Sequence, residues 1–181
     1  MRQMRAAAGP TGSVAAQVVV TGLVLLLGAR PAITQETPPA QPQAPTAAER
    51  FESVATRALE AMRERAAALH VSGVAVVAFC EGDSVQSWSS KMIVVGRLKD
   101  PSSQPGANLL GIAYAKAAEM ADTLKDSGSA DRPPMTGEFG WPGGLITKTR
   151  TGHVIVAFSG GPSEDDLKVS RAGLDVFAKG L

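Results

Sequence analysis

A chain of 181 residues, 44% hydrophobic and 19% charged, can bury one ordinary core and leaves little room for a second domain. One cysteine and two histidines exclude an internal disulfide framework, a multi-cysteine zinc site and a histidine-rich metal site. The net charge of +1 owes much to Arg2, Arg5 and Arg30, which face no acid in residues 1–32; the remainder is near neutral and carries no basic footprint for nucleic acid.

Residues 1–32 read as an export signal. Arg2 and Arg5 give a positive start, and the apolar run Val14–Ala29 is short for a membrane span and right for a signal core. An uncleaved N-terminal anchor is the alternative. Either reading places the folded part outside the cytoplasm, in the periplasm or beyond. Residues 33–45 continue as a Pro/Gln/Ala linker, since prolines at this density cannot support helix. The folded part is assigned to residues 46–181.

Thr46 and Glu49 have the spacing of a capping box. After them Phe51, Val54, Ala58, Leu59, Met62, Ala66 and Leu69 recur at three- and four-residue steps, which predicts an amphipathic helix ending near His70. Residues 74–80, VAVVAFC, are continuously apolar and valine-rich, so they predict a strand covered on both faces. Glu81-Gly82-Asp83 marks a turn. Ser84–Ser90 and Met92–Leu98 read as two further strands, and 99–106 as a loop. A helix from Ala107 or Asn108 to about Lys125 follows, with Leu109, Ile112, Ala113, Ala117, Met120 and Leu124 as its stripe. The turn-rich segment 127–141 is long enough to suggest a functional loop. Gly143–Thr149 and His153–Ser159 predict a hairpin, the second arm apolar on both faces. Ser163 and Asp166 then suggest a second capping box, opening a helix whose buried side holds Leu167, Leu174, Phe177, Ala178 and Leu181. The order α-β-β-β-α-β-β-α gives an α+β class with a five-stranded antiparallel sheet between helices.

No G-x-S-x-G elbow is present, and Cys80 ends an apolar strand, where a buried inert thiol is expected. Ser159-Gly160-Gly161-Pro162-Ser163 before a helix has the form of an anion cradle, but the three acids after it oppose a phosphate. A haem would need an apolar slot, an axial donor and groups for its propionates. His70, His153 and Tyr114 are the candidate donors. A helix-end cap is the plainer role for His70, a solvated turn for His153, and a core boundary for Tyr114. Lys116, flanked by small residues, either snorkels to the surface or lines a pocket for a carboxylate. Glu138 and Trp141 either close that pocket or sit in an exposed turn.

Three segments carry a family resemblance: ALEAMRERAAALHVSGVAVVAF (58–79), GIAYAKAAEMADT (111–123) and PGGLITKTRTGHVIVAFSGGPSEDDLKVSRAGLDVF (142–177). In element order, and in Lys116-Ala117, Gly143-Gly144, Ser159-Gly160, Asp165-Asp166 and Ala172-Gly173, the folded part resembles the GlcG/HbpS family of haem-binding domains. The resemblance implies a profilin-like layered sandwich, often oligomeric, and haem as cofactor. It also implies an exported protein that binds haem or another tetrapyrrole, with an envelope protein as a possible partner. A binder or enzyme for a small organic acid, with Lys116 pairing the carboxylate, and a ligand-free interaction module are the alternatives. More weight falls on a non-enzymatic role.

Overall fold

The computed structural model describes residues 44–102, 105–129 and 132–180; the expected leader and most of the linker lie outside the described residues. The first helix, α1 (Ala47–Ala68), starts where the sequence places it. The Thr46 hydroxyl accepts from the Glu49 N–H at 3.2 Å, and the Glu49 carboxylate accepts from the Thr46 N–H at 2.7 Å, so two orphan donors are satisfied reciprocally. Its stripe of Phe51, Val54, Ala58, Met62 and Ala66 is buried. The helix closes at Leu69, and His70 takes a positive φ of 56° as the chain turns into the sheet.

That sheet has four antiparallel strands, β1 (Gly73–Glu81), β2 (Trp88–Val95), β5 (Gly144–Lys148) and β6 (Gly152–Ser159), in the order β2-β1-β6-β5. The expected count of five is corrected. Residues 84–90 and 92–98 are not separate strands. One continuous strand pairs with β1 from Trp88 against Cys80 to Val95 against Gly73. The change from the polar 84–90 run to the apolar 92–98 run falls within one strand, because β2 is an edge strand, where polar side chains are ordinary and discourage pairing with other chains. The missing strand is replaced by a separate ribbon, β3 (Lys99–Asp100) with β4 (Ala107–Asn108), in what the sequence suggested was loop. Then α2 (Leu109–Thr123) begins on an Asn108 cap, whose side-chain oxygen accepts from the Gly111 N–H at 3.1 Å. The last helix is α3 (Ser163–Gly180).

Layers follow from the two apolar faces of β1 and β6. Ala75, Val77 and Phe79, with Val154, Val156 and Phe158, face α1 and α3. On that side Phe51 stacks on Phe177 with ring centroids 5.7 Å apart. Val74, Val76, Ala78 and Cys80, with Ile155 and Ala157, face α2. Small residues at Ala113 and Ala117 of α2 carry little bulk against this face. The buried side of α3 also needs correcting. It is Asp166, Val169, Ser170, Gly173, Leu174 and Phe177, while Ala178 is exposed and Leu181 lies outside the described residues.

The sheet fixes the backbone tightly at one junction. The start of β1 and the end of β6 approach so closely that a Cβ on Gly73 would stand 2.0 Å from the Ser159 carbonyl oxygen, and one on Gly160 would stand 2.2 Å from that of Ser72. Neither neighbour is a flexible side chain, so the backbone itself must move. Gly73→Ala is therefore expected to lower stability by about 1–3 kcal/mol. A urea midpoint unchanged from that of the parent would show that the junction relaxes freely.

Candidate functional site

The residue set around Lys116 is assembled by three elements. Lys116 projects from α2 and is 3% exposed. Its ammonium donates to the Phe158 carbonyl of β6 at 2.8 Å and to Asp166 Oδ2 of α3 at 2.7 Å. The second oxygen of Asp166 accepts from the Gly161 N–H at 2.9 Å. The glycine-rich turn before α3 thus donates to the protein's own carboxylate, which occupies the position an external anion would take. The expected Ser163–Asp166 capping box is corrected accordingly, because the Asp166 carboxylate is spent on Gly161 and Lys116. Sequence reasoning passed over this residue as a site component. The signal was its spacing: Asp166 falls three, four and seven residues before Val169, Ser170 and Gly173, on the face that packs inward.

Burial strains the pair in opposite directions. Desolvation pushes the Asp166 carboxyl up and the Lys116 amine down, each opposed by the other's charge. Gly143 seals one side of the ammonium. It sits at φ 135°, and a Cβ there would lie 2.3 Å from Lys116 Nζ. The Ser170 hydroxyl holds the Gly143 carbonyl at 2.7 Å, and the Phe158 N–H reaches the same oxygen at 3.2 Å.

A cavity of about 260 Å³ opens beside this pair. Leu109 and Ile112 of α2 and Ala107 of the ribbon give it an apolar wall, Asp100 and the Ser159–Gly161 turn give it a polar one, and Trp141 stands at its rim. Among the described residues two of the three ammonium protons have acceptors, which leaves the third uncommitted in a residue that lines the cavity.

The other expected site residues are dispersed. Trp141 joins Lys116 at the cavity, but Glu138 does not line it. Glu138 accepts two hydrogen bonds from the Arg132 guanidinium, at 2.7 and 2.9 Å, and one from the Met135 N–H at 2.8 Å. These bonds hold its carboxyl down at about 2. Arg132 also reaches Asp122 of α2 at 2.6 Å, so Glu138 braces the loop that carries Trp141. Tyr114 lies against Trp88, ring centroids 6.2 Å apart, with its hydroxyl 3.2 Å from that of Ser90. His153 was expected to be solvated and is instead buried, because it lies inside the central strand β6, all of whose residues are buried. Among the described residues its Nδ1 has no hydrogen-bond partner. His70 is exposed and lines a separate cavity of about 350 Å³ with Arg97 and Gly160. Arg97 donates there to the carbonyls of Ser72 and Gly160.

A haem fits this donor set poorly. The two roomier cavities, about 610 and 570 Å³, are lined by none of His70, His153 and Tyr114. The His70 cavity has a donor and a cation but mostly polar walls. Among the described residues no three His, Cys, Asp or Glu side chains are grouped to hold a metal ion.

No family model matches the chain, and no curated protein matches it. Among solved structures it is similar to the crystal structure of the Klebsiella pneumoniae protein ORFY, of the DUF336 family. That likeness covers 70% of this chain and 88% of that one, with a TM-score of 0.51 and 15% identity. The fold is DUF336-like. At that identity the likeness concerns the fold alone, and it agrees with the GlcG-type architecture that the sequence resemblance implies. The Lys116 cavity is built by this chain's own residues.

Cys80 behaves as expected for a thiol with no partner in chemistry. It is fully buried on the α2 face of β1, and desolvation pushes it up to about 11. A thiol reagent at pH 7.5 should leave it unlabelled in the folded protein and label it once urea unfolds the chain. Rapid labelling of the folded protein would contradict this placement.

Proposed function

We propose that the chain is an exported, non-enzymatic binder of a small organic acid, seated in the cavity beside Lys116. The observation that carries this reading is the buried ammonium with one uncommitted N–H in the lining of a cavity that has one apolar wall. Pockets for small molecules are commonly apolar, with a few fixed polar groups that orient the ligand. The signal-like sequence of residues 1–32 supports export. The ligand carboxylate would share one ammonium with Asp166, and two carboxylates at one cation favour uptake of a proton.

The sign of the pH dependence follows. Asp166 is raised, so lowering the pH toward its folded value neutralises it and leaves the ammonium to the ligand. Lys116 is lowered, so raising the pH begins to remove the charge the ligand needs. Binding of an ionised carboxylate should therefore weaken as the pH rises, and tightening with rising pH would contradict this sign. Saturation at a hundred times the dissociation constant should add about 2.7 kcal/mol of stability. Lys116→Gln should abolish this stabilisation. So should Ala107→Phe, which fills the cavity from the half-buried ribbon without touching the ion pair. Carboxylate stabilisation that survives both substitutions would place the site elsewhere.

Haem or another tetrapyrrole is the second reading. It rests on the sequence resemblance and on the exposed His70 imidazole, although the Arg97 guanidinium beside it is already engaged by the Ser72 and Gly160 carbonyls and by Asp100. A saturable one-to-one Soret shift that His70→Ala removes would favour it over the organic acid.

A further inference from the structure

The loop before β5 says which organic acids the cavity takes. Phe139 and Trp141 are stacked, ring centroids 4.7 Å apart and planes within 27°. Yet they remain 45% and 49% exposed. An aromatic pair on a braced loop that leaves nearly half of each residue open presents apolar surface to solvent, and such surface marks a binding position.

The bracing is explicit. Glu138, between the two aromatics and their proline-rich approach, is gripped by Arg132 and by the Met135 N–H, and Arg132 is tied to α2 through Asp122. Gly140, between Phe139 and Trp141, has φ 64°, and a Cβ on it would stand 2.6 Å from the Pro134 ring. The indole is thus held in place before any ligand arrives, which removes part of the ordering cost of binding. It lines the cavity together with the apolar Leu109, Ile112 and Ala107, while Lys116, Asp166, Asp100 and the Ser159–Gly161 turn make up the polar part.

Resting on the reading of this cavity as the ligand site, we propose that its ligands are aromatic carboxylic acids. The ring stacks on Trp141 against the aliphatic wall, and the carboxylate reaches the Lys116 ammonium. The volume of about 260 Å³ suits a single ring or a fused pair better than a macrocycle. Stacking on the indole separates an aromatic acid from a saturated acid of the same charge and similar size, by about fivefold in affinity.

The test is calorimetric titration of the full chain with benzoate, 2-naphthoate and cyclohexanecarboxylate, repeated on Trp141→Ala. Trp141 is half exposed and outside the core, so the variant is expected to fold. The expected result is about fivefold tighter binding of the aromatic acids than of cyclohexanecarboxylate, a preference lost in Trp141→Ala. Equal affinity for aromatic and saturated acids overturns the aromatic assignment and leaves the cavity reading standing. A preference that persists in Trp141→Ala overturns it as well. Failure of all three acids to bind overturns both.

Discussion

The ion pair between Lys116 and Asp166 is the constraint on which this end of the molecule depends. It joins the helix on one face of the sheet to the helix on the other, across the last residues of the central strand. Removing two charges from water is costly, and their attraction repays the cost only when the remaining hydrogen-bonding capacity is also used. Here Phe158 and Gly161 take part of it. The geometry that results accounts for features that look unrelated in the sequence. Gly143 must lack a side chain because the ammonium lies against it. The turn at Gly160-Gly161 must approach Ser72 and Gly73 and present an N–H to Asp166. Three acids can follow that turn because the one on the inner face already has its cation.

The two faces of the sheet carry different duties. The face toward α1 and α3 is closed by aliphatic and phenyl packing and reads as core. The α2 face has small residues near the sheet, a buried thiol, and the lysine, and there the packing gives way to a cavity. Placing the polar pair where the packing opens is what turns a structural ion pair into the floor of a site. It also explains why Lys116 has both of the properties the sequence suggested, a long side chain in a small-residue setting and a partner carboxylate. That partner is internal.

Much of the fold was legible because local chemistry and tertiary packing agree. The Thr46–Glu49 box, the doubly apolar 74–80 strand and the hairpin around 150–152 are all local patterns with a single sensible outcome. The fifth strand does not exist because the polar Ser89, Ser90 and Lys91 and the apolar 92–95 run pair with β1 along one continuous edge strand. The site was half legible. Lys116 and Trp141 could be singled out by context, and both line the cavity. Glu138 could not be placed, since its partner Arg132 is six residues away in a loop with no periodicity. Asp166 was hidden by its neighbours, because Glu164 and Asp165 make it look like one more helix-start acid. His153 was misjudged for a similar reason. A residue beside a turn is usually wet, but this turn leads straight into the central strand.

The most direct test of this account is a double-mutant cycle on Lys116→Met and Asp166→Asn, read by urea denaturation. Each single change leaves a buried polar group without its counterpart, so each should destabilise the protein strongly. The double variant should be less damaged than the sum of the two, with a coupling of about 1–3 kcal/mol. Effects that add to within about 0.5 kcal/mol would show that the two side chains act independently. The pair would then not be what organises the site.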